Sequence, residues 1–180
     1  MFRFDRMGLA AAAAALALGA TGCNRLPTVY APPAQAAGLA DASTTGLGPM
    51  VAMSDPRADA YIVGGFRPVS EGSWRWAHDH PVLRFYLPDS GPLEFVMDLS
   101  LPEQTFALTG PIAIGIAVNG VVVGRMRCEH AGSYSYHHPV AEELLRRNAI
   151  NIVAVTPDKT ARREGGERLG FVLSRAGFAE

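Results

Sequence analysis

Two aromatic clusters carry the strongest signal for binding chemistry in this chain of 180 residues. Trp74 and Trp76 are separated by one residue, so an extended strand would place both indoles on one side. The segment Tyr134–His138 repeats the arrangement with two tyrosines and two adjacent histidines. Flat aromatic faces beside hydrogen-bonding side chains suit sugar rings, which combine apolar C–H faces with polar edges. Trp76 is predicted to be a core anchor. The predicted ligand-binding residues are Trp74, Tyr134, Tyr136, His137 and His138.

The histidines and the second cysteine are candidate metal ligands. His78 and His80 would share one side of a strand, and so would Cys128 and His130. Imidazole and thiolate suit zinc or copper, but the chain has no Cys-x-x-Cys spacing of a structural zinc site. We therefore predict exposed loop histidines, a buried free thiol at Cys128, no metal and no cofactor.

Catalytic patterns are weak in this sequence. No Gly-x-Ser-x-Gly motif surrounds a serine, and the spacing of the carboxylates does not single out a facing pair. The formal net charge of −1 gives no reason to expect binding to nucleic acid. The sequence predicts a protein that is not an enzyme, with no catalytic residues.

The beginning of the chain has the features of an export signal. Arg3 and Arg6 precede an apolar run at Leu9–Ala20, which is shorter than the roughly 20 residues of a membrane-spanning helix. The following Ala20-Thr21-Gly22-Cys23 resembles the lipobox of bacterial lipoproteins. That resemblance implies removal of residues 1–22, lipidation of Cys23 (palmitate among the acyl chains) and, with Asn24 next, a periplasm-facing outer-membrane location. A cleaved secretory signal with Cys23 as a bystander is the alternative.

The remainder divides into a tether and a domain. Residues 23–60 are rich in Pro, Ala, Gly, Ser and Thr without a sustained apolar period, which predicts a flexible tether behind the lipidated cysteine. Met50–Met53 could instead form a first edge strand. From Tyr61 to residue 180, short apolar runs broken by turns predict one folded domain.

These runs predict an all-β fold, an antiparallel sandwich or barrel with one short helix. Asn119-Gly120 marks a tight hairpin, and Ile112–Val118 alternates large residues with Ala and Gly, which leaves one thinly covered face. Pro139–Asn148 reads as the helix, with acidic residues early and basic residues late. The predicted strands are Tyr61–Phe66, Ser73–Ala77, Val82–Leu87, Leu93–Leu99, Ile112–Val118, Val121–Cys128, Ile150–Val155 and Leu169–Arg175.

Several short motifs, in their order along the chain, resemble a jelly-roll module of bacterial glycan-related proteins. They are Gly65-Phe66, Arg75-Trp76, Leu83–Pro88, the hairpin Ile114–Gly120, Asn148 before Ile150–Val153, and Arg168-Leu169-Gly170. The resemblance covers about Tyr61 to Phe178. It implies an antiparallel, jelly-roll-like β-sandwich similar to carbohydrate-binding and galactose-binding-like domains. Such folds host many roles, so the resemblance does not by itself imply a ligand.

Two functions follow as expectations. The first is a non-catalytic binding module for an envelope or exported glycan, carried by the aromatic residues. The alternative is a structural or assembly lipoprotein that binds other envelope proteins through the thin Ala/Gly face or a sheet edge. Exposed aromatic residues favour the first, and a contiguous exposed apolar surface favours the second.

Overall fold

The protein is an antiparallel β-sandwich, which confirms the predicted fold class. The computed structural model describes residues 46–68, 72–88 and 92–180. The strands are β1 (Met50–Ala52), β2 (Ile62–Phe66), β3 (Arg75–Leu87), β4 (Leu93–Leu101), β5 (Ile112–Val118), β6 (Val121–Cys128), β7 (Gly132–Val140), β8 (Ala149–Pro157), β9 (Ala161–Arg162), β10 (Arg168–Leu169) and β11 (Val172–Ala179). The helices are α1 (Ala58–Tyr61) and α2 (Glu103–Thr109), and Glu142–Leu144 forms a 3₁₀ turn.

Strand β3 belongs to both layers of the sandwich. In the first sheet β7 pairs with β4 and β4 with β11, while β1 and the start of β3 share the far side of β11. In the second sheet the order is β6, β5, β8, β3 and β2. Arg75 and Trp76 pair with β11, whereas Val82–Leu87 pairs with β8. The sequence predicted two separate strands here, and the structure joins them.

The main core lies between the two sheets and follows from strand alternation. On β4 the side chains of Leu93, Phe95, Met97, Leu99 and Leu101 are buried, while the residues between them, apart from Val96, are half-exposed. The large residues of β5 are buried as predicted, and its Ala and Gly positions lie on the outside of the second sheet. Each sheet therefore has one apolar face inside and presents the other outward.

Two asparagines organise the end of the sandwich near the β5–β6 hairpin. Asn119 has the positive φ of 49° that the predicted tight turn requires. Its amide nitrogen donates to the carbonyl of Leu144 and to the side-chain oxygen of Asn151, both at 2.8 Å. Asn151 is fully buried, donates to the carbonyl of Arg146 and accepts from its N–H. This network ties the hairpin tip to the connection before β8.

The folded domain begins before the predicted boundary, so the assignment of residues 23–60 as a tether is wrong for its last part. Strand β1 pairs with β11, and Val51 and Met53 are 2% and 1% exposed. Ala58 and Tyr61 of α1 are also buried, and the Tyr61 hydroxyl accepts a hydrogen bond from the N–H of Gly48 at 2.8 Å. The edge strand considered at Met50–Met53 is present as β1. Residues 1–45, with the predicted signal and Cys23, lie outside the described part.

The predicted helix at Pro139–Asn148 is the second correction. Pro139 and Val140 end β7, which pairs with β4 along its whole length, and only Glu142–Leu144 forms a 3₁₀ turn. Pairing with β4 buries Val140, and Asn148 has the positive φ of 51° expected of a chain reversal. Tertiary pairing therefore overrides the favourable local charge pattern.

Cys128 lies at the end of β6 and has the buried, free thiol predicted from the sequence. Burial raises the pKa of this thiol to about 11, so it stays protonated and poorly nucleophilic at neutral pH. Within the described residues, no helix is long and apolar enough to cross a bilayer.

Candidate functional site

Trp74, directly before β3, and Trp76, near the start of β3, form a ridge on the surface of the first sheet. Trp76 is 7% exposed and packs with Leu169 and Val172 in a small cluster separate from the main core. Trp74 is half-buried and meets Trp76 edge to face, with ring centroids 5.9 Å apart and planes at 88°. We call this pair the tryptophan ridge. Trp76 is the anchor, and Trp74 carries the partly exposed aromatic surface.

A cleft of about 450 Å³ lies on one side of the tryptophan ridge. Its other wall comes from the end of β4, the beginning of α2 and the beginning of β7. We call it the serine cleft because three serine side chains line it alongside Gln104 and Glu103. Those serines are Ser100, Ser133 and Ser174. The cleft therefore joins an aromatic wall to several groups that can donate and accept hydrogen bonds.

The serine cleft continues along the outer face of the first sheet into a smaller depression of about 320 Å³. The β4–β7 register pairs Ser100 with Ser133 and Asp98 with Ser135, which places these polar side chains on one face. Ser100 and Ser133 share a hydrogen bond of 2.9 Å between hydroxyls. Asp98 accepts from Ser135 at 2.6 Å and from the Nε of Arg175 at 2.8 Å. The outer face is thus a connected polar surface beside the tryptophan ridge.

His137 extends this surface and forms a serine–histidine–carboxylate chain. Its Nε2 is 3.3 Å from the Ser135 hydroxyl, and its Nδ1 is 3.0 Å from Glu94 Oε1. However, the single hydroxyl hydrogen of Ser135 is donated to Asp98, so a hydrogen bond with His137 requires Nε2 to be the donor. A general base needs a lone pair at that nitrogen. In this arrangement His137 does not activate Ser135 as a nucleophile.

A second cleft of about 730 Å³ lies across the ridge and shares Trp74, Trp76 and Gln104 with the serine cleft. We call it the arginine cleft. Its charged residues come from the end of β2 and from the β9–β10 hairpin. They are Arg67, Arg162, Arg163, Glu164 and Glu167.

One ion pair in the arginine cleft is bidentate. The Nε of Arg67 donates to Glu167 Oε1 at 2.9 Å, and its Nη2 donates to Oε2 at 2.6 Å. The hydrogen bonds from Arg67 hold the pKa of Glu167 below its usual range, with smaller contributions from nearby His78 and Arg163. Glu167 therefore stays ionised through the neutral range, and this interaction is lost only when acid protonates the carboxylate.

The predicted tyrosine pair is not an exposed platform. Gly132–Val140 is a paired strand and not a loop, so Tyr134, Tyr136 and His138 share the inward side of β7 while His137 is exposed on the outer face. Tyr136 is 9% exposed, belongs to the main core and stacks on His138 at 5.9 Å. The prediction of Tyr136 as a ligand-contact residue is corrected for this reason. Burial also raises the pKa of Tyr136.

Tyr134 and the histidines have separate positions. Tyr134 is half-buried, and its hydroxyl exchanges hydrogen bonds with the backbone N–H and carbonyl of His130 at 2.9 and 2.8 Å. It lines the small depression next to Ser135. Of the predicted site residues, Trp74 lies on the ridge and His137 lies on the outer polar surface, whereas Tyr134, Tyr136 and His138 are on the inward side of β7. Among the described residues, no group of three or more His, Cys, Asp or Glu could bind a metal ion.

The sequence reasoning missed the charged half of the site. Arg162 and Arg163 lie in a hairpin that was not predicted, since Arg168-Leu169 was assigned to the last strand and forms β10 instead. The two glycines of Arg163-Glu164-Gly165-Gly166-Glu167 were the available signal, because both adopt positive φ in the turn. No local sequence pattern predicts that Arg162 and Arg163 lie near Trp76, which is nearly ninety positions earlier in the chain.

Comparison with known proteins gives structural neighbours alone. No protein-family profile matches the chain, and no curated protein matches it. A family 35 carbohydrate-binding module from Clostridium thermocellum is 12% identical with a TM-score of 0.43, over 72% of this chain and 96% of that one. The CBM36-1 domain of a xylanase from the Trinervitermes trinervoides hindgut metagenome is 11% identical with a TM-score of 0.40, over 73% and 97%.

An enzyme also appears among these neighbours. An acetyl xylan esterase from Butyrivibrio proteoclasticus is 10% identical with a TM-score of 0.43, over 72% of this chain and 31% of the esterase. Solved structures similar to this chain thus include carbohydrate-binding modules and parts of enzymes. At these identities and TM-scores they do not indicate what this chain binds, which has to be argued from its own clefts.

Proposed function

We propose that this chain is a non-catalytic binding module that holds a glycan along the tryptophan ridge and the serine cleft. The observation that carries the proposal is Trp74, a half-buried indole fixed edge-on against a buried Trp76 and shared by both clefts. An indole held this way offers apolar surface to the C–H face of a sugar ring.

In this proposal, polar side chains of the serine cleft bind the hydroxyl groups of the sugar. Ser100, Ser133 and Ser174 line the serine cleft at the foot of the ridge, together with Gln104. Hydroxyl and amide groups both donate and accept, which matches the mixed hydrogen bonding of sugar hydroxyls. The hydrogen bond from Ser135 to Asp98 favours a binding role for the neighbouring polar surface over a hydrolytic one.

Trp74→Ala tests this function on a glycan array followed by titration with the best-bound oligosaccharide. We expect binding to weaken about tenfold, since a stacked aromatic contributes about 0.5–1.5 kcal/mol beyond its buried area. Trp74→Phe should restore part of the affinity. Tyr86→Ala removes a half-buried aromatic residue from the second sheet and serves as the control. Unchanged affinity in Trp74→Ala, or no binding to any glycan by the unaltered protein, would contradict the proposal.

We also propose that the module is anchored to the outer membrane through lipid on Cys23, facing the periplasm. The support is the sequence Ala20-Thr21-Gly22-Cys23 after a short apolar run. A multiply acylated N-terminus anchors durably, because each buried methylene contributes about 0.8 kcal/mol.

Cys23→Ser should abolish metabolic labelling with palmitate and move the protein from the membrane pellet to the soluble fraction. Cys128→Ser is the matched control. Cys128 is buried in the domain, so this variant should leave lipid labelling unchanged. Continued lipid labelling of Cys23→Ser would show that the cysteine is a bystander.

A second candidate function rests on the outer face of the second sheet. Ala117 pairs with Ala154 and Ala154 with Val82, so small and apolar residues are neighbours across three strands. Ile152 and Val122 on the same sheet are 36% and 74% exposed. Such a surface favours contact with another envelope protein, and Trp74→Ala would leave that contact unchanged.

A further inference from the structure

The β9–β10 hairpin holds two arginines beside the tryptophan ridge. Ala161 and Leu169, paired across the hairpin, are 2% and 1% exposed and fix it to the domain. The N–H of Arg163 donates to the carbonyl of Glu167 at 2.8 Å and closes the turn. The Arg163 guanidinium then lies 5.5 Å from the centre of the Trp76 ring. The aromatic and cationic parts of the candidate site are therefore adjacent, and buried residues join the hairpin to the domain.

Arg162 and Arg163 differ from Arg67, whose guanidinium forms a bidentate ion pair with Glu167. Both carboxylate oxygens of Glu167 accept hydrogen bonds from Arg67. Arg163 is half-buried and uses Nη1 to donate to Gln104 at 2.7 Å, while its buried Nε has no hydrogen-bond partner among the described residues. Arg162 is exposed and has no ion pair within the same part of the chain. Glu164 is the other carboxylate of the cleft, so the arginine cleft carries three cationic and two anionic side chains.

We propose that the arginine cleft binds the charged group of an anionic saccharide, a carboxylate or a sulfate ester, while an adjoining sugar ring lies against Trp74. This inference rests on the proposed function and adds the class of sugar. The planar guanidinium presents parallel N–H donors that match the oxygens of such anions. The cleft volume of about 730 Å³ is sufficient for a sugar ring and its substituent.

The test compares charged and neutral forms of the same sugars. A panel of hexuronate oligosaccharides is titrated beside their carboxyl methyl esters, and sulfated oligosaccharides beside their desulfated forms. We expect at least one charged form to bind about tenfold more tightly than its neutral partner, and the difference to shrink in about 0.5 M NaCl because salt screens an exposed charge. The better-bound series identifies the anion as carboxylate or sulfate.

Arg162→Gln should remove most of that charged preference and leave the neutral form unaffected. Arg125→Gln is the matched control, because Arg125 is an exposed arginine on β6 of the other sheet. Arg162 makes no described ion pair, so its variant is expected to fold, and the melting temperature checks this. Equal binding of charged and neutral forms, with Trp74 still required, would overturn this inference alone. Absence of binding to every glycan would overturn the proposed function as well.

Discussion

A chain that starts at Ser54 should be destabilised by roughly 5 kcal/mol, which is much of the stability of an ordinary domain. The deletion removes the side chains of Leu47, Val51 and Met53, all buried in the main core. It also removes β1 from the edge of β11 and the hydrogen bond that the Pro49 carbonyl accepts from the N–H of Phe178. Denaturant titration followed by circular dichroism measures the loss.

A chain that starts at Gly46 is the control for this truncation. It keeps β1 and all three core side chains, so its unfolding midpoint should match that of the chain that begins at Cys23. If the Ser54 chain unfolded at the same denaturant concentration, β1 would contribute nothing and the domain would begin near the boundary predicted from composition.

Replacing Ile116 by aspartate is expected to prevent folding. Ile116 is fully buried in the middle of β5, between β6 and β8. A carboxylate placed there has no partner and costs several kcal/mol, in addition to the lost apolar contacts. Thermal melting should show no cooperative transition.

Ile152→Asp is the matched control for Ile116→Asp. Ile152 occupies the outer face of the neighbouring strand and is 36% exposed, so a carboxylate there reaches water. We expect its effect on the unfolding free energy to be about 1 kcal/mol. A cooperative transition in Ile116→Asp would mean that the β5 side chains do not form the centre of the sandwich.

Local chemistry made part of this fold predictable. The hairpin at Asn119-Gly120 needs two residues that tolerate positive φ, and the structure has them at 49° and 88°. The alternation in β4 and β5 shows which side of each strand is buried. These features depend on neighbouring residues, so they can be read directly from the sequence.

The misassigned segments depend on partners far along the chain. Met50–Ala52 is a strand because β11 lies beside it, and Pro139-Val140 extends β7 because β4 offers a matching edge. The candidate site shows the same division. Trp74 is a candidate binding residue because of its residue type alone. The burial of Tyr136 could not be predicted in this way, because pairing with β4 decides which side of β7 faces the interior.

The double membership of β3 has a thermodynamic consequence for binding. The backbone carbonyl of Trp76 accepts from the N–H of Arg67, and the Ala77 N–H donates to Phe171, while the same strand continues into the second sheet. The backbone at Trp76 is therefore fixed when the domain folds, and the Trp74 ring packs edge to face against the Trp76 ring. A ligand arriving there loses its own conformational entropy but orders little of the protein, so preorganisation lets weak stacking and hydrogen bonds contribute more of their free energy to affinity.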